Sequence, residues 1–211
     1  MVLASVSSFA QFQKLVVEEV DNKGLVPGKT FRVYALMSGP NDHVHAVFAT
    51  EGHDLYVRSS TSFYQHKYGN ATTAGLNPAL VADNPDLAFD SWLTIGMDES
   101  NLSNEDPKPM EAGGEATFFE NTLNLMTLDT KTFESGGPLE VADGAWFCIP
   151  TMEQIKAGDD NRVLLMQLTS DGKIDGKISL QGMYPVAVRT EEGMQDFQQS
   201  WQEFDLEFTC E

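Results

Sequence analysis

All four histidines of the chain fall between His43 and His66. His43 and His45 stand two apart in an alternating run, so on a strand they share a face, an acceptable start for a zinc or copper site with His53 and His66 in reserve. No further ligand follows at a fixed spacing, and solvated histidines beside a turn fit the pattern equally well. Hard oxygen ligands occur in Asp159-Asp160-Asn161 and from Asp171 to Asp175, both in turn-forming runs. Asp159, Asp160, Asp171 and Asp175 are therefore candidates for calcium, although neither run has EF-hand spacing and acidic turns without an ion look the same. No serine or cysteine stands in a nucleophile-elbow context. A carboxylate pair for glycoside hydrolysis cannot be singled out among 32 acids, so no catalytic residue is assigned and no cofactor other than calcium is implied.

Aromatic side chains offer a different chemistry, because an exposed ring on a sheet can stack against a sugar. Trp92 and Trp146 are flanked by apolar residues in the strongest strand-like runs and read as core. Tyr68 lies in a loop and Trp201 in a polar stretch, so these two are the candidates for a glycan-stacking face. Two sequons, Asn70-Ala71-Thr72 and Asn101-Leu102-Ser103, lie in loops and become glycan acceptors only in a secretory context. Cys148 and Cys210 continue apolar strand patterns; buried thiols and a disulfide between neighbouring strands both satisfy them.

The elements that must position these residues are almost all strands. Thr30 to Met37 alternates Phe31, Val33, Ala35 and Met37 against Arg32, Tyr34 and Leu36, and Ser38 to Asp42 reads as a turn into a hairpin partner carrying Val44, Ala46 and Phe48. Lys14 to Val20, Leu55 to Tyr64, Phe89 to Met97, Ala116 to Phe119, Asn121 to Asp129, Gly144 to Ile149, Arg162 to Leu168, Lys177 to Gln181 and Phe204 to Cys210 complete the strand-like runs. Asp171-Gly172 and Asp175-Gly176 read as turns. From Ser59 to Gly96 two strands flank a connection too long for a tight hairpin, so the chain is expected either to pass from one sheet to another there or to wrap a sheet edge. Asn77-Pro78 and Asn84-Pro85 mark its corners. Short strands punctuated by Gly, Pro and Asn, with almost no helical period, indicate an all-β fold: an antiparallel β-sandwich or jelly roll with long loops and little helix. The chain divides into an N-terminal arm (1–13), a β-sandwich domain (14–189) and an acidic C-terminal segment ending in a strand (190–211).

With 13 Lys and Arg against 32 Asp and Glu, the net charge of -19 argues against nucleic acid or an anionic membrane surface as partner. No basic residue occurs between Lys67 and Lys108 or after Arg189. No run has the apolar length of a membrane-spanning helix, so no membrane insertion is expected, and the first twelve residues lack the basic region of an intact signal peptide.

The runs FRVYALM, DHVHAVF, STSFYQ, NPAL, FDSWLTIG, the EAGG and ESGG pair, GAWF and DNRVLLMQLTSDGKIDGKISLQ resemble a β-rich domain of marine bacteria and algae. That resemblance spans Leu15 to Gln181. It implies a β fold found in secreted bacterial proteins, sometimes in several copies, and brings no catalytic residue. Beyond those motifs, the free-standing copy with extensions is similar in overall character to the self-assembling pyrenoid-shell proteins of diatoms and related algae, which implies a structural, non-enzymatic role in the chloroplast. The resulting expectation is a homo-oligomeric assembly protein. Long strands with open edges template pairing with further copies, with Phe9, Phe12, Trp201 and Phe204 in the terminal segments as contact residues. The alternative is an extracellular carbohydrate-binding or adhesion module, with glycan as partner and calcium as a possible ion.

Overall fold

The computed structural model describes residues 11–98, 123–190 and 193–211. It is an all-β fold of two antiparallel sheets packed face to face. Sheet A is ordered β1 (Phe12–Val20), β2 (Lys29–Met37), β9 (Arg162–Ser170), β5 (Trp92–Leu93). Sheet B contains β3 (His43–Ala49), β4 (Leu55–Ser59), β6 (Asn124–Met126), β7 (Leu139–Val141), β8 (Gly144–Phe147), β10 (Ile174–Thr190) and β11 (Gly193–Cys210).

The two-residue period of a strand explains the core. Phe31, Val33, Ala35 and Met37 of β2 point between the sheets with Val163, Leu165, Met166 and Leu168 of β9; Val47, Val57, Trp146, Ile174, Ile178 and Leu180 meet them from sheet B. A register shift opposite Val33 and Tyr34 lets both Leu165 and Met166 face this core.

Several connections cross between the sheets. Residues 38–42 were expected to turn a hairpin. They do not, because β1 and β9 already occupy both edges of β2. Instead Asp42 accepts a hydrogen bond from the Gly39 amide (2.8 Å) and folds the corner that takes the chain to sheet B. Asp171-Gly172 makes another crossing, from β9 to β10. The long connection after β4 is a further one, ending at β5 in sheet A, one of the two courses the sequence allows. Its prolines start short helices: Pro78 opens α1 (Pro78–Asp83), capped by the Asn77 side chain on the Ala79 amide (3.0 Å), and Pro85 opens a 3₁₀ turn.

This connection forms a third layer over the outer face of sheet A. Leu76, Leu87, Trp92 and Met97 make a second, smaller core with Leu164, and Tyr34, Leu80 and Val81 pack against it. Both faces of β9 are thus covered, which is why it reads RVLLMQLTS with little alternation. The expected core tryptophans are both fully buried, Trp146 in the main core and Trp92 in the smaller one.

In sheet B, β10 pairs with β11 along its whole length, so β3 and β4, which pair with successive parts of β10, must share its other side. They form one line broken by residues 50–54. Asp175-Gly176 is no turn: Gly176 lies inside β10, directly opposite Phe208, whose ring occupies the space a Cβ would need (2.3 Å). Gly182 is likewise opposite Trp201; a Cβ there would stand 2.3 Å from the indole and 1.9 Å from the His43 carbonyl. Each aromatic ring covers a glycine across the ladder and restores the packing that glycine lacks.

Candidate functional site

The candidate calcium ligands do not converge. Asp160 receives Arg162 Nε (3.1 Å) at the start of β9, while Asp171 accepts from Thr61 Oγ1 (2.6 Å) just past its end. Nine residues of strand separate the two turns, about 30 Å at strand rise. Asp159 is exposed, and Asp175 is exposed in β10 opposite Arg58.

The histidines also separate by environment. His43 and His45 are buried, and desolvation holds both imidazoles below their ordinary pKa, so they are neutral at physiological pH. His66 sits in the third layer near Asp86, Nε2 to Oδ2 3.5 Å, and its Nδ1 accepts from the Tyr68 amide (3.1 Å). His53 lies on the outer face of sheet B with Nδ1 2.5 Å from Asp205 Oδ2. Among the described residues no group of three or more His, Cys, Asp or Glu is arranged to hold a metal ion. Cys148 and Cys210 are both buried, and burial pushes their thiols up to about 11 and about 12.

Two acids that belong to no recognisable motif organise the polar parts of the structure. Asp90 is fully buried where the third layer returns to sheet A; its carboxylate accepts from the amides of His66 (2.6 Å) and Asn70 (3.2 Å). Burial dominates those hydrogen bonds and raises its pKa to about 7. Beside it Gln167 of β9 donates to the carbonyls of Ala88 and Asp90, both at 2.9 Å, and accepts from Arg32 Nε (3.0 Å). Asp205 marks a bulge in β11, with φ 52° and a register shift opposite Ile178 and Leu180. Hydrogen bonding from His53, with Lys177 on the other oxygen (3.2 Å), holds the Asp205 carboxyl below its ordinary value. The sequence signal for Asp90 is an acid inside the apolar run FDSWL; Asp205 gives none, because it fills an ordinary polar position in the alternation of Phe204, Leu206 and Phe208.

The aromatic candidates have distinct fates. Tyr68 is 47% exposed, with the Lys67 ammonium 4.7 Å from its ring centre. Trp201 is not the free-standing ring its polar context suggested; it is half-buried, stacked on Phe12 at 6.1 Å and laid over Gly182. Phe12 and Trp201 thereby tie β1 to β11. Phe204 is 39% exposed on the outer face of sheet B, edge-on to Phe48 (5.5 Å) and 4.5 Å from the His53 ring. Phe9, the Asn101 sequon and the run Ala116 to Phe119 lie outside the described residues. Asn70 Oδ1 receives the Thr72 amide (3.1 Å) and hydroxyl (3.2 Å), and its side chain lies where a Cβ on Gly75 would sit, so this sequon is built into the third layer.

The C-terminal stretch is the largest departure from expectation. The sequence indicates a strand from Phe204 after a polar link; the strand begins at Gly193 and runs 18 residues. The pairing of β10 with β3 ends at Met183, yet seven further pairs join β10 to β11, from Tyr184↔Gln199 to Thr190↔Gly193. The two strands therefore leave the sandwich as a ribbon about 23 Å long. On it Val188, Met194 and Phe197 are 42%, 65% and 49% exposed. Among the described residues the outer edge of β11 has no strand paired to it.

Comparison with known proteins adds little. No family model matches the chain, and no curated protein matches it. A search of solved structures matches a chain from the structure of manganese lipoxygenase of Gaeumannomyces graminis with partial zonadhesin of Komagataella pastoris, at TM-score 0.30 and 9% identity. The match covers 95% of this chain and 48% of that one, so the chain spans about half the length of the structure it resembles. A likeness at this TM-score carries no argument.

Proposed function

We propose that the protein is a non-enzymatic structural module that associates with further copies of itself through sheet B. The β10–β11 ribbon carries this reading. Among the described residues the ribbon has no third strand, an arrangement marginal in water, and it also leaves Val188, Met194 and Phe197 exposed. Packing against another copy supplies the missing cover. The charge of -19 opposes close approach elsewhere on the surface, so association is expected to strengthen as salt screens it.

The test replaces Tyr184 to Gln199 by an Asn-Gly turn joining Met183 to Ser200, which keeps every β10 residue that pairs with β3 or β4. Light-scattering mass is then measured across concentration and salt. The intact chain is expected above monomer mass and the trimmed chain at monomer mass. A monomeric intact chain at every concentration overturns the proposal, as does a trimmed chain that keeps the intact assembly.

A further inference from the structure

The edge of β11 is protected unevenly. Its inner part, Glu203 to Glu211, runs beside the sandwich and carries Glu203, Asp205, Glu207 and Glu211. It also contains the Asp205 bulge, with φ 52°, which breaks the regular ladder. Charges and bulges are the devices by which an edge strand resists pairing with another chain. The outer part, Met194 to Gln202, has neither a bulge nor a row of charges: it reads MQDFQQSWQ, with Asp196 its one charge and four glutamines. Glutamine side chains are neutral, so they put no charge repulsion in the way of a second strand.

We infer that the outer half of β11 pairs antiparallel with the same segment of a second copy, so that sheet B runs continuously through a two-fold dimer. This rests on the self-association reading above and names its contact. The occupant follows from charge and overlap. An axis at Gln198, the midpoint of the open segment, aligns all of Met194 to Gln202 with its symmetry mate and sets Asp196 opposite Ser200. The two Asp196 side chains are then four positions apart along the strand, about 14 Å, which exceeds the screening length of about 8 Å at physiological salt. Pairing through the inner half would instead bring Glu203 and Glu207 of each copy together along one short seam that the Asp205 bulge already breaks. The glutamine-rich half is the stretch of the edge where two copies meet without that repulsion, and each extra main-chain hydrogen bond extends a ladder already formed by β10.

Charge exchange at the axis tests this. Gln198→Lys and Gln198→Glu are made separately; residue 198 is exposed and its strand partner is Pro185 in the ribbon, so the sandwich is untouched. Masses of each variant and of an equimolar mixture are compared with the intact protein, with far-ultraviolet circular dichroism as the folding control. Each variant alone is expected to shift at least tenfold toward monomer, and the mixture to recover the dimer. Variants that associate like the intact protein overturn arm-to-arm pairing while leaving self-association through another surface in place. A mixture that stays monomeric overturns the two-fold geometry, and an intact chain that is itself monomeric removes both readings.

Discussion

Asp90→Asn gives the sharpest check on the third layer. The carboxyl is fully buried and its pKa is raised from 3.8 to about 7, chiefly by desolvation. In the unfolded chain it ionises near its ordinary value, so between about pH 4 and pH 7 the folded state holds a proton that the unfolded state has released. Stability from this group is fully present below about pH 4 and is lost as pH rises to about 7. The loss over about three pH units amounts to about 4 kcal/mol at about 1.4 kcal/mol per unit. Asparagine cannot ionise. Its Oδ1 still accepts one of the two amide bonds from His66 and Asn70, and losing the other costs about 1 kcal/mol. The two stability curves, measured by urea unfolding from pH 4 to 8, should therefore cross between about pH 4 and 5. By pH 8 the variant should be more stable by about 3 kcal/mol. Buried His43 and His45 work in the opposite sense, removing stability as pH falls, but they are common to both proteins and cancel in the difference. Parallel curves across this range would refute the claim that a buried carboxyl holds the loop.

Gly182→Ala should be among the most damaging single methyl additions, because the new carbon would stand 1.9 Å from the His43 carbonyl oxygen and 2.3 Å from the Trp201 ring. A loss of about 1–3 kcal/mol in thermal or urea unfolding is expected, and a change below about 0.5 kcal/mol would show that the ring does not press on the strand as described. The thiols of Cys148 and Cys210, pushed to about 11 and about 12, should react with a thiol reagent at pH 8 at least about a hundredfold more slowly in the native protein than in urea. Rapid native labelling would contradict their burial.

Most of the fold was legible because alternation survives where one face is buried and the other is not, as in β2, with Phe31, Val33, Ala35 and Met37 inward. What misled was topology. Nothing between Met37 and His43 records that both edges of β2 are already taken, since that depends on residues more than a hundred positions away in β9. Asp175-Gly176 misled for a related reason: glycine serves a tight turn or a close approach, and only Phe208, 32 residues on, shows that here it is the second. The polar stretch before Phe204 gave no strand signal because a ribbon outside the sandwich has no core to impose alternation, so glutamines occupy both faces. The candidate metal ligands were legible as types but not as a site. Asp160 and Asp171 bracket one strand, and the histidines divide between buried, looped and surface positions.

The two sheets are finished differently, and that difference bears on function. Sheet A has its outer face covered by the connection from β4 to β5, which adds a second small core and a polar set, Asp90, Gln167, Ser91 and Thr169, satisfied within the molecule. A face tied down by buried hydrogen bonds is costly to expose, because each released group loses its partner away from water. Sheet B has no such cover among the described residues over Phe48, His53 and Phe204, and it alone extends beyond the sandwich. If the ribbon served only to brace the fold, it would end at Met183 and Ser200, where its last contact with β3 is made. The seven pairs beyond that point join no other described strand, and they carry apolar side chains into water. An exposed surface of that kind is what the proposed association would cover, and the outer half of β11, with Asp196 as its one charge, is the stretch proposed to meet another copy of the same strand.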